Sequence, residues 1–232
     1  MNKKRILLTV LAMVLVCALS VAGTLALLTA HTDAVTNTFV AAAGSDNPFV
    51  DKDGFSIKEY KVGPDAAGNY NYVDEEGNKL AEDDAKIEVA ENTYKVVPGV
   101  TLPKDAFVKL SRANETPAYL FIEVVNKLSN EFNMAVDSQW GELTGVTGKN
   151  GGKIYVLGTA TAPKVLADVN DEYHIIAGNK VTVASNAQLD ITQGTNDTIK
   201  FYAYICQATV AKTDGTNTSN PAEVFGICFP KN

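Results

Sequence analysis

From residue 89 onward the apolar positions fall in short runs of period two, separated by clusters of Gly, Asn and Asp. "DAFVKLSRANETPAYLFIEVVN", residues 105–126, holds two such runs on either side of Ser111-Arg112-Ala113-Asn114-Glu115-Thr116-Pro117, a spacer with turn composition. In the second run Tyr119, Phe121 and Glu123 alternate with Leu120, Ile122 and Val124, a set rich in β-formers. Further runs lie at 153–157, 173–176, 180–184 and 199–210, and Gly148-Lys149-Asn150-Gly151-Gly152-Lys153 reads as a hairpin turn between Val146 and Ile154. Many short strands with turn residues between them predict an all-β, antiparallel β-sandwich. A few short helices are expected, at 128–136 and 162–169.

The last two runs allow a register to be written. In "TIKFYAYICQATV" the residues Ile199, Phe201, Ala203 and Ile205 share one face, and in "VFGICFP" the matching set is Phe225, Ile227 and Phe229. A hairpin with Val210 opposite Val224 puts these sets on one side and sets Cys206 opposite Cys228. Two readings fit that pair: a cross-strand disulfide, if the pair is a non-hydrogen-bonded one, or two buried thiols acting as small hydrophobes.

At the other end, Asn2-Lys3-Lys4-Arg5 precede an apolar run from Ile6 to Ala22, the layout of a secretory signal. The uncharged stretch reaches Leu28, so an uncleaved anchor is the competing reading. Small residues permit a cut after Ala22 or after Ala26. The bulky Val16 before Cys17 argues against lipid modification there. Removing residues 1–26 discards three cations and no anions, which moves the formal charge from −7 to −10. An acidic chain lacks the clustered Lys and Arg that displace counterions from a polyanion, so nucleic acid is not an expected partner. Only Cys206 and Cys228 then remain of three cysteines, too few for a disulfide-built scaffold.

Residues 49–90 differ in character. Acidic residues crowd around turn chemistry at Ala67-Gly68-Asn69 and Glu76-Gly77-Asn78, which reads as a solvent-exposed excursion ahead of the core strands. Asp51-Lys52-Asp53-Gly54 resembles the start of a calcium loop, but Ser56 and Val62 stand where such a loop needs Gly and Glu. The polar run 212–221 reads as a loop.

Catalytic patterns are sparse. The two histidines, His31 and His174, form no zinc motif, and His174 beside Ile175 and Ile176 reads as a strand residue with a satisfied ring. There is no Gly-x-Ser-x-Gly elbow and no P-loop spacing; Asp83-Asp84 and Asp171-Glu172 are expected to face water. No catalytic, cofactor or metal residue is assigned. Sequons stand at Asn114, Asn196 and Asn217. Trp140, the single tryptophan, is expected to seal one end of the core; the other reading is a platform for a sugar ring.

Several stretches carry a resemblance. Gly23-Thr24-Leu25-Ala26 followed by Thr36-Asn37-Thr38-Phe39 resembles the export signal and first mature strand of the TasA/camelysin family, secreted proteins of Gram-positive bacteria processed by a SipW-type signal peptidase. "VVPGVTLPKDAFVKLSRANETPAYLFIEV" is similar to that family's Pro-Gly, strand, polar turn, strand sequence. "WGEL" with Ile154-Tyr155, and "YAYICQA", resemble further segments of its members. The resemblance implies a jelly-roll sandwich that assembles into extracellular fibres of a biofilm matrix at the cell surface. In such fibres the N-terminal segment of one subunit completes a sheet of its neighbour, by strand addition to an open edge.

On this reading the chain divides into a signal at 1–26, with Thr24, Ala26 and Leu27 around the cut, an assembly strand at 27–44, and a sandwich at 45–232. The anchors of the strand are Leu28, Val35, Phe39 and Val40, with Asn37 in the matching motif. The expected partners are further copies or related matrix subunits, with membrane contact only during export. Two alternatives are a monomeric glycan-binding module and a camelysin-like metallopeptidase, for which the chain offers no zinc motif. Leu27-Leu28 is more apolar than the family's usual start, and the acidic excursion has no counterpart in it.

Overall fold

A computed structural model of the chain describes residues 29–31, 55–66, 68–110, 117–166, 172–187 and 198–230. The architecture is all-β, with antiparallel sheets and one α-helix among the described residues. The largest sheet has six strands: β1 (Thr29–His31), β15 (Ile199–Gln207), β8 (Ala118–Asn126), β11 (Lys153–Leu157) and β10 (Trp140–Thr147) in that order, with β12 (Val165–Leu166) also paired to β8. A four-stranded sheet runs β13 (Glu172–His174), β7 (Ala106–Leu110), β2 (Phe55–Tyr60), β5 (Glu88–Val89). A three-stranded sheet runs β6 (Thr101–Pro103), β14 (Lys180–Val183), β9 (Phe132–Asn133). Two hairpins complete the set, β3 (Val62–Pro64) with β4 (Tyr70–Tyr72) and β16 (Val210–Ala211) with β17 (Asn217–Thr218).

The alternation read in β8 and β15 explains their central place. These strands pair along their whole length, from Ile199 opposite Asn126 to Gln207 opposite Ala118. One face carries Leu120, Ile122, Val124, Phe201, Ala203 and Ile205, which pack on Ile57, Val108, Leu110, Tyr173 and Ile175 of the smaller sheet. This interface is the sandwich core. Each large aliphatic side chain fully buried there contributes about 1.5–3 kcal/mol relative to exposure.

The opposite face is covered as well. Tyr119, Phe121, Tyr202, Tyr204 and Cys206 pack against Val224, Phe225 and Phe229 of the C-terminal segment. That segment departs from the sequence reading. The expected last strand is α1 (Pro221–Cys228), so no hairpin sets Val210 against Val224. Asn220 caps it, its side chain accepting from the amides of Ala222 at 3.0 Å and Glu223 at 3.3 Å. Pro221 occupies the first turn, where a missing N–H is harmless, and Glu223 meets the positive end of the helix dipole. Phe225 and Phe229, four residues apart, then fall on one face and cover the aromatic side of the sheet.

The two helices expected at 128–136 and 162–169 are not formed over their described residues. Phe132 and Asn133 pair with Val183 and Thr182 as β9, and Val165 and Leu166 pair with Tyr119 and Ala118 as β12. Leu128, Met134 and Val136 still pack on the main core, from extended chain instead of a helical face. Tertiary pairing has overridden local spacing.

The acidic excursion forms the expected turns. Asp65 Oδ1 accepts from the Asn69 amide at 2.9 Å, and Asp74 Oδ1 from the Asn78 amide at 2.7 Å. Its inner side is not solvent-exposed, however. Tyr70 and Val73 are buried, and Tyr70, Val62, Tyr94 and Val96 share a small second core with Leu102, Phe132 and Val183 of the three-stranded sheet.

Candidate functional site

The β15 edge is the feature with interaction chemistry. On the side away from β8, Cys206, Ile205 and Tyr204 pair with Thr29, Ala30 and His31. The pairing joins the backbone donors and acceptors of β15 to those of a short extended segment, which is the chemistry of strand addition.

The edge is built on a stiff base. Cys206 is disulfide-bonded to Cys228, with 6.6 Å between the Cα atoms, so the strand is stapled to the end of α1. Of the two readings of this pair the disulfide is the one present, but it joins a strand to a helix and not two strands. Tyr204 is held from the other direction. Its hydroxyl donates to Glu123 Oε2 at 2.6 Å, and that carboxylate is wholly buried. Glu123 also accepts from the amides of Asn150 and Gly152, each at 2.8 Å, and from Asn150 Nδ2 at 3.0 Å. The β10–β11 turn therefore wraps the carboxylate, and a Cβ on Gly148 would lie 2.1 Å from Glu123 Cδ. Burial and the Glu123 hydrogen bond both push the Tyr204 phenol upward, so it stays a donor.

A second polar cluster lies on the outer face of the four-stranded sheet. Asp105, with its side chain fully buried, accepts from Tyr72 at 3.0 Å and contacts His174 Nδ1 at 2.6 Å, with Lys86 Nζ at 3.6 Å. The hydrogen bond to Asp105 raises the His174 pKa above its usual value. Lys86 also stands over the rings of Tyr72 at 4.1 Å and Tyr60 at 4.8 Å. The Tyr60 hydroxyl donates to Glu172 at 2.7 Å, and Lys109 pairs with Glu88. This network clamps the excursion onto the sheet. A His–carboxylate pair could orient a base, but among the described residues no Ser, Thr or Cys is hydrogen-bonded to the His174 ring. The described residues hold no group of three or more His, Cys, Asp or Glu arranged for a metal ion.

Trp140 is buried at the end of the core, its indole N–H donating to the His174 carbonyl at 2.8 Å, so its ring is no sugar platform. Asp83 and Asp84 are exposed, and Glu172 accepts from Tyr60. The cleavage residues Thr24, Ala26 and Leu27 and the assembly residues Leu28, Val35, Asn37, Phe39 and Val40 lie outside the described residues, as do Asp51 to Gly54, Asn114 and Asn196. Asn217 is exposed in β17. Sequence reasoning missed Glu123 and Asp105 as network centres. A carboxylate inside the apolar alternation of β8 was the available signal for the first.

Comparison of the chain with protein-family models, with curated proteins and with solved structures finds no match.

Proposed function

We propose that the chain is a secreted, non-enzymatic structural subunit of the TasA/camelysin type, freed by a SipW-type signal peptidase. It polymerises in the extracellular matrix or at the cell surface when the N-terminal strand of one jelly-roll subunit adds to the sheet of the next. The observation that carries this reading is the pairing of Thr29, Ala30 and His31 with the edge of β15. These three residues belong to the segment that the sequence assigns to assembly, and they occupy the edge at which a donated strand would add. Pairing within one chain and pairing between chains use the same backbone groups, so the first is a competitor of the second. Assembly then depends on concentration, since only the intermolecular pairing is favoured by mass action.

The test compares the secreted chain with one lacking residues 27–40 by electron microscopy and sedimentation. Fibres from the full secreted chain and monomers from the shortened one are expected. Fibres from the shortened chain would sink the reading. Excess synthetic peptide covering residues 27–40 is expected to arrest growth by capping free edges.

A further inference from the structure

Beside the three-stranded sheet lies a pocket of about 230 Å³, bordered by Asn92, Tyr94, Leu102, Lys104, Phe132 and Ile199 among others. Two polar side chains that the edge-strand reading does not use, Lys104 and Asn92, border it, and a third, Glu59, is in contact with Lys104. Lys104 Nζ sits 2.7 Å from Glu59 Oε2, with the two side chains 4% and 0% exposed. Asn92 is 6% exposed and lies near enough to lower the Glu59 pKa against the effect of burial. A buried ion pair is a poor source of stability compared with apolar packing of the same volume. A lysine, a carboxyl and a carboxamide gathered in an apolar pocket are, by contrast, the components of an amide-forming reaction.

We propose that Lys104 and Asn92 join through an intramolecular amide bond that the folded chain forms by itself, with Glu59 as the proton carrier.

The surroundings suit the reaction in several respects. An amine attacks only when neutral. Burial lowers the Lys104 pKa and raises that of Glu59, so the pair is drawn toward neutral amine and neutral acid. Attack of Nζ on Asn92 Cγ forms the new C–N bond and moves the carbonyl electron pair onto Oδ1. The Val62 amide already donates to that oxygen at 2.9 Å, where it stabilises the developing negative charge. Nδ2 is held by the Tyr60 carbonyl at 2.9 Å, which fixes the orientation of the carboxamide. Glu59 gives its proton to Nδ2 and takes one from Nζ; the Cγ–Nδ2 bond breaks and ammonia departs. An amine and a primary amide become a secondary amide and ammonia, with no oxidant, reductant or cofactor. Glu59, Tyr60 and Val62 come from one short stretch, so β2 and its exit wrap the reacting carboxamide.

Mass spectrometry of the purified, reduced full chain tests this. The expected intact mass is about 17 Da below that of the sequence, through loss of one ammonia. Trypsin is expected to release the peptide 87–95 linked to 96–109, with cleavage blocked at Lys104. Glu59→Gln keeps the shape and removes the proton carrier, and Lys104→Arg removes the nucleophile; each is expected to restore the full mass. Should these variants fail to fold, the wild-type peptides still decide. An unmodified wild-type mass overturns the proposal. So does an ammonia loss confined to peptide 87–95 alone, which means ring closure of Asn92 onto its own backbone. The outcome is independent of whether the chain forms fibres.

Discussion

The Tyr204 hydroxyl and the Glu123 carboxylate meet at 2.6 Å across the β8–β15 pair, although 81 residues separate them in the chain. Glu123 is a buried charge with four donors from the β10–β11 turn and β15, and the register of the central strands sets their approach. Satisfied in this way the carboxylate rigidifies the sheet; half satisfied it would weaken it.

Tyr204→Phe removes one donor to this charge and is expected to lower stability by about 2 kcal/mol. Glu123→Ala strands the amides of Asn150 and Gly152 and is expected to cost more. Urea unfolding followed by tryptophan emission measures both, since Trp140 is buried in the native state.

Two glycines give opposite expectations. Gly148→Ala drives a methyl group into Glu123 Cδ, 2.1 Å away, so the carboxylate or the turn must move and stability falls. Gly226→Ala lies in α1 with no atom within 4 Å of the added carbon, and is expected to stabilise by about 0.5–1 kcal/mol. Thermal unfolding of both variants beside the parent chain checks the pair.

The Cys206–Cys228 bond closes a loop with a sequence separation of 22. Its removal by Cys228→Ser, or by reductant, is expected to cost about 3 kcal/mol. A reductant-dependent shift in the urea midpoint of the parent chain, absent from the variant, is the signature.

His174 makes stability depend on pH. Its folded pKa is raised above the ordinary value of 6.5, chiefly by the hydrogen bond to Asp105, while burial and Lys86 act against the rise. Its contribution is therefore complete below the unfolded pKa and is lost as pH rises through the folded one. The neighbours Glu172 and Tyr72 face the same network. The difference in unfolding midpoint between the parent chain and His174→Asn is expected to shrink as pH rises above the unfolded value of 6.5. A difference that stays constant over that range would count against the His174–Asp105 pair as its source.

The strands were legible where an alternating apolar run is bounded by turn residues. β8, β11, β14 and β15 fall within the runs that composition marks, and Ile199, Phe201, Ala203 and Ile205 share the expected face. The C-terminal helix was misread because Phe225, Ile227 and Phe229 satisfy a period of two, while Phe225 and Phe229 also satisfy the helical spacing. The deciding signal was Asn220-Pro221 with Glu223, a helix start hidden at the end of a polar run. Cys206 and Cys228 were paired correctly for the wrong geometry. Lys104 and Glu59 lie 45 positions apart and form no motif, so their meeting depends on how β2 and the approach to β7 come together in three dimensions.

Thr29 stands directly across from Cys206 in the edge pairing, so the position that seats the first strand is also the position that bears the sulfur bridge. Oxidation and strand pairing therefore converge on one rung of the ladder. Reduction of the bridge would loosen the floor beneath that rung, so the redox state of two sulfurs bears on how firmly the first strand is seated.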